Sequence, residues 1–158
     1  MSFTEKRLWV TMTATVVVWG CYYWRLVERI AAGGLADAGF IAGMARLFGS
    51  AVFLAVALEV GLTIFAAAVT SKAERDATDE RERLSNLKAS RAAMILLTTL
   101  VVTMAGAAYF AAFGVWEVGS ALTGANVLVL TANAALACVV VSELFREGLT
   151  LAYLRRGV

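Results

Sequence analysis

The chain has no histidine and no proline, and only two of its 158 residues are cysteine. Without an imidazole there is no histidine ligand for haem, zinc or copper, no general base near neutral pH and no histidine proton relay. Cys21 and Cys138 lie inside apolar runs in opposite halves of the chain; they cannot form a four-thiolate cluster and read as small fillers of a helix bundle. Proline is usually about 5% of a sequence. Its absence argues for straight helices rather than the interrupted ones that expose backbone to a transported substrate. Charge is scarce too, with 16% Asp, Glu, Lys and Arg against about 25% in soluble domains. The net charge of +2, with no basic stripe set apart from acids, excludes a nucleic-acid surface. There is also no Gly-rich phosphate loop, no metal-ligand spacing and no soluble domain to house chemistry. The chain reads as non-catalytic, with no cofactor.

What is abundant is apolar residue, 61% of the chain, gathered into four runs at Leu8–Val27, Leu47–Val69, Ala92–Val115 and Leu122–Leu144. Each has about 20 residues or more, enough helix to cross a ~30 Å hydrocarbon core. The expected fold is all-α: a polytopic membrane protein whose residues 1–158 form one antiparallel bundle of four transmembrane helices. The first run is too long and too aromatic for a signal sequence and reads as a retained span. Trp116–Ala121 is so short that spans three and four must be antiparallel neighbours.

Orientation follows from Lys and Arg. Lys6 and Arg7, then Lys72, Arg75, Arg81, Arg83, Lys88 and Arg91, then Arg146, Arg155 and Arg156 make eleven on one side, against Arg25, Arg29 and Arg46 on the other. That bias places both termini in the cytoplasm. Trp9 at one boundary of span one, Tyr22, Tyr23 and Trp24 at the other, and Trp116 in the outer turn fit aromatic belts.

The cytoplasmic connection 72–91 reads KAERDATDERERLSNLKASR, six bases and five acids. Most of these residues favour helix, Asp76 or Thr78 can cap it, and Asp79 stands four residues before Arg83 in the favourable order. The segment therefore reads as a helix leading into span three. One reading makes it a solvated extension whose charges satisfy one another. The other makes Asp79, Arg81, Arg83, Leu84, Leu87 and Arg91 a docking surface for a protein partner. A metal site at Asp76, Asp79 and Glu80 is disfavoured because the interleaved arginines compete with a cation.

DERERLSNLKASRAA (Asp79–Ala93) together with SELFREGLTLAYLRRG (Ser142–Gly157) resembles a group of small bacterial inner-membrane proteins with four spans. Their pattern is a DERD-type run before span three and an E-L…G…L-x-Y-RRG ending, from which this chain departs by placing Leu154 between Tyr153 and Arg155. The resemblance covers about a fifth of the chain and implies a multi-pass layout in a bacterial inner (cytoplasmic) membrane. That group carries no established activity, so no catalytic residue transfers.

Polar groups at membrane depth are few. Glu59 falls at the midpoint of span two, on a stripe with Ala55 and Thr63; Asn126 and Asn133 share a face of span four. A carboxylate at mid-bilayer costs about 2.5–3.5 kcal/mol on insertion scales, so it should face the bundle. Thr11, Thr15, Tyr22, Thr99 and Thr103 extend the expected polar seam, and Glu59 is expected protonated and hydrogen-bonded to Asn133 or a threonine. Glu143 and Glu147, at the cytoplasmic end of span four, are expected to pair with arginines of the connection. Two function classes remain open. One is a non-catalytic membrane module that contacts a cytoplasmic or membrane protein, or further copies of itself. The alternative is a small proton- or cation-coupled transporter or channel using Glu59.

Overall fold

The computed structural model describes residues 3–37, 39–69, 80–112 and 124–156. Among them the chain is helical throughout, without a strand. Helices α1 (Phe3–Ala31), α2 (Phe40–Val69), α3 (Glu80–Ala112) and α4 (Gly124–Arg156) are joined, where described, by a 3-10 turn at Gly34–Ala36. Three of them contain stretches long and apolar enough to cross a membrane: Phe40–Leu62, Glu82–Phe110 and Asn126–Arg156. The proposed cap residues Asp76 and Thr78, and the turn containing Trp116, lie outside the described residues.

The α1–α2 corner is built from short-range backbone chemistry. Glu5 lies in the first turn of α1 and Arg29 in its last, each opposite in sign to the adjacent end of the helix dipole. The helix stops because Gly33 takes up φ 78°, a left-handed conformation that side chains disfavour. The Gly33 N–H donates back to the Ile30 carbonyl at 3.0 Å. Asp37 then accepts the Gly39 N–H at 3.0 Å, an Asx turn that opens α2. The Arg29 guanidinium lies so close over Gly43 that a Cβ there would collide with it.

Packing joins α1 to α2 along Val18, Tyr22 and Leu26 on one helix and Phe40, Met44 and Ala51 on the other, with Val129 and Leu136 of α4 laid against them. Residues four apart on α1 share a face, which makes this stripe continuous. On the other flank of α4, α3 presents Ser85, Ala89 and Ala93, the first two at 1% and 0% exposure. Small residues at every fourth position let two backbones approach closely. The Ser142 hydroxyl crosses that seam to donate to the Ala93 carbonyl at 2.9 Å.

Thr99 and Thr103 were expected in the interior and are instead exposed. Their hydroxyls donate back to the carbonyls of Ile95 and Thr99 in their own helix, at 2.9 and 2.8 Å. A threonine satisfied in this way has no need of a partner helix, so small size rather than polarity selects the inner face of α3.

The two ends of the bundle are tied differently. At one, the Thr4 hydroxyl donates to Glu82 at 3.0 Å, Arg155 stands 4.0 Å from Glu5, and the same guanidinium lies over the Trp9 ring. The start of α1, the start of α3 and the end of α4 therefore share one end. At the other, the Asn126 amide donates to the Leu35 carbonyl at 2.7 Å.

Beside the apolar core, Ser85, Asn126, Asn133, Ser142, Glu147 and Thr150 are buried, while Trp24, Phe53, Met94, Tyr109 and Leu128 are exposed on the outer surface. An outer surface of large apolar side chains, with polar groups turned between the helices, suits a hydrocarbon solvent, in which close packing and interhelical hydrogen bonds replace the hydrophobic drive.

Candidate functional site: a carboxylate-bearing cavity between three helices

The cavity arises where facing helices carry small side chains. Ala14 and Thr15 of α1 and Ala55 of α2 leave space that Val18, Trp19, Leu58, Leu136 and Val139 wall but do not fill, and about 400 Å³ results. Thr11, on the same wall, donates its hydroxyl to the Arg7 carbonyl at 3.0 Å. The lining is aliphatic and aromatic except for the threonines Thr11 and Thr15 and four charged groups: Glu59 from α2, and Glu143, Arg146 and Glu147 from α4.

These four are not equivalent. Arg146 bonds Glu143 on its own helix, Nη2 to Oε2, at 2.7 Å. The expected pairing of Glu143 with the connection's arginines is thus replaced by an i,i+3 pair, the spacing that brings two helical side chains together. Glu147 is 7% exposed, and its Oε2 is buried with no hydrogen-bond partner among the described residues. The Arg146 Nε is in the same position. Leaving a buried polar atom unbonded costs about 1–3 kcal/mol, more when it is charged. Glu147 is close enough to Glu59, Glu143, Arg146 and Arg7 for their charges to act on it.

Glu59 is exposed at the rim of this cavity. It does not stand level with Asn133. Tyr22 meets both Asn133 and, on α2, Phe48, and Glu59 stands eleven residues beyond Phe48, about 16 Å along the helix axis. The Thr63 side chain lies outside the described residues.

Asn133 and Asn126 serve as ties. The Tyr22 hydroxyl donates to Asn133 Oδ1, Tyr23 donates to the Asn133 carbonyl at 2.9 Å, and the Asn133 amide donates to the Val129 carbonyl at 2.8 Å. Edge-on ring contacts of Tyr22 with Trp19, Tyr23 and Phe48 complete this cluster.

Of the residues expected to dock a partner, Arg83, Leu84, Leu87 and Arg91 are exposed on α3, on the side away from Ser85 and Ala89. Asp79 and the Arg81 side chain lie outside the described residues. Sequence reasoning gave Glu147 an ion pair with the connection's arginines and so did not place it among the site residues. Spacing carries the missed signal: Glu147 stands fourteen residues after Asn133 and therefore near the same face of α4. Among the described residues, no group of three or more acidic or thiol side chains converges to hold a metal ion.

Compared with protein-family models, curated proteins and solved structures, the chain matches none.

Proposed function

We propose that the chain is a four-span protein of a bacterial inner membrane, with both termini and the 72–91 connection in the cytoplasm, acting there as a non-catalytic module that docks a protein partner on the outer face of α3. The observation that carries the docking role is the exposure of Leu84 and Leu87 beside Arg83, Lys88 and Arg91. This face lies at the end of the bundle where both termini meet. The charges described on it are basic, so it suits a partner whose apolar ridge is flanked by acids.

A crossing by α1 is supported by its length of 29 residues and by how its polar groups are satisfied. Thr11 and Thr13 donate to carbonyls of their own helix, and Tyr22 and Tyr23 to Asn133. Its outward residues include Val10, Val16, Val17, Trp24 and Val27. Internally satisfied hydroxyls are what a spanning helix requires. The eleven-to-three split of Lys and Arg supports the orientation.

The test places a photoreactive benzoylphenylalanine at Leu87, and separately at Phe53 on the lipid-facing surface of α2, in native membranes. A discrete protein adduct from Leu87 but not Phe53, lost in the R83E/R91E variant, is expected. Adducts with lipid alone, or a protein adduct that survives reversal of both charges, would overturn the docking reading.

A further inference from the structure

We propose that the cavity between α1, α2 and α4 binds an amphipathic organic cation, its ammonium group held at Glu147 and its apolar body against Trp19 and the aliphatic wall. The proposal is independent of the docking face on α3.

Three observations converge. The cavity has the volume of a small-molecule site, about 400 Å³, and its walls are mostly apolar with a few polar groups gathered at one end, the usual composition of such sites. The Glu143–Arg146 pair at 2.7 Å neutralises itself, and Glu147 is the other acid that α4 brings to the lining. Glu147 is more than nine-tenths buried, yet its Oε2 has no donor among the described residues. Arg7 is the further cation whose charge reaches Glu147, and it lies exposed outside the lining. A positive charge from a ligand in the cavity would compensate the Glu147 carboxylate.

The class of cation follows from the walls. A small hydrated metal ion needs several converging oxygen ligands, and the described residues hold no such group. The Val18, Leu58, Leu136 and Val139 side chains instead favour a ligand that carries its own apolar surface. Trp19 adds an aromatic face of the kind that attracts alkylammonium groups.

The experiment titrates the full-length protein in lipid nanodiscs with benzyltrimethylammonium, read by tryptophan fluorescence and by equilibrium dialysis. Saturable binding is expected for the wild type and for E28Q, a change in the exposed Arg25–Glu28 pair at the far end of α1. E147Q should weaken binding tenfold or more. A14F, which fills the cavity without altering charge, should abolish saturable binding and covers the case in which E147Q fails to fold. Absence of saturable binding to the wild type, or affinity unchanged in folded E147Q or in A14F, would overturn the proposal.

Discussion

The hydrogen bond from Tyr22 to Asn133 is the principal side-chain tie between α1 and α4, and its two atoms have different alternatives when it is lost. Asn133 keeps its amide bond to the Val129 carbonyl but leaves Oδ1 buried and unbonded, whereas the tyrosine hydroxyl can be deleted outright. Tyr22→Phe should therefore destabilise the protein by about 1 kcal/mol, in the range of interhelical hydrogen bonds within membranes and of buried acceptors left unmade. Removing both partners, Tyr22→Phe with Asn133→Leu, should cost less than the sum of the two single changes. Reversible unfolding in mixed detergent micelles measures all three variants. Strict additivity would mean that the bond carries no coupling energy. A second residue-scale feature is the contrast between the two glutamates at the cavity. Glu59 stands out in the sequence because it interrupts an apolar run. Glu147 is inconspicuous because it falls at the charged end of span four, where a pair with the connection's arginines is expected, yet it is the more deeply buried of the two. A cluster of charges at a helix end does not say which of them turns inward, since side chains one apart on a helix diverge by about 100°.

At the scale of elements, the tightest seam is the line Ser85–Ala89–Ala93 against α4. Ala89 is fully buried, so added volume there must separate two backbones rather than fill a gap. Ala89→Leu should destabilise the bundle by about 1–3 kcal/mol, the usual cost of overpacking. Met94→Leu, at an exposed position of the same helix, should change stability by less than about 0.5 kcal/mol. The same detergent unfolding assay distinguishes them, and equal effects would show that the seam is not close-packed. The helices themselves were legible in the sequence because a run of about 20 apolar residues leaves the backbone no other way to satisfy its polar groups in hydrocarbon. Their rotation was only partly legible. The inner face of α4 was marked by Asn126 and Asn133, whose amides need partners from another element. That of α3 was not, because Thr99 and Thr103 satisfy their hydroxyls within the helix and so give no sign of which way they face. The offset between Glu59 and Asn133 was hidden for another reason: the midpoint of an apolar run does not fix how far one helix slides along its neighbour.

At the scale of the whole molecule, the arrangement of ends ties the charge pattern to a topology. The contacts of Thr4 with Glu82 and of Glu5 with Arg155 gather the beginning of α1, the beginning of α3 and the end of α4 at one end. These are the places where Lys6, Arg7, Arg83, Lys88, Arg155 and Arg156 fall. The opposite end carries Arg25, Arg29 and Arg46 around the α1–α2 corner. If the bundle crosses a membrane, the first group belongs to the cytoplasmic side by the bias of basic residues, and the corner at Gly34–Ala36 belongs to the other. In a variant whose native cysteines are replaced, C21A/C138A, a single cysteine introduced by A36C should react with an impermeant maleimide added to intact cells. One introduced by R156C should react only after the membrane is permeabilised. Equal reactivity of both in intact cells would place both ends of the bundle on one side and remove the transmembrane arrangement. Reversed reactivity would leave the bundle intact and move the Leu84–Leu87 face out of the cytoplasm, taking the docking reading with it.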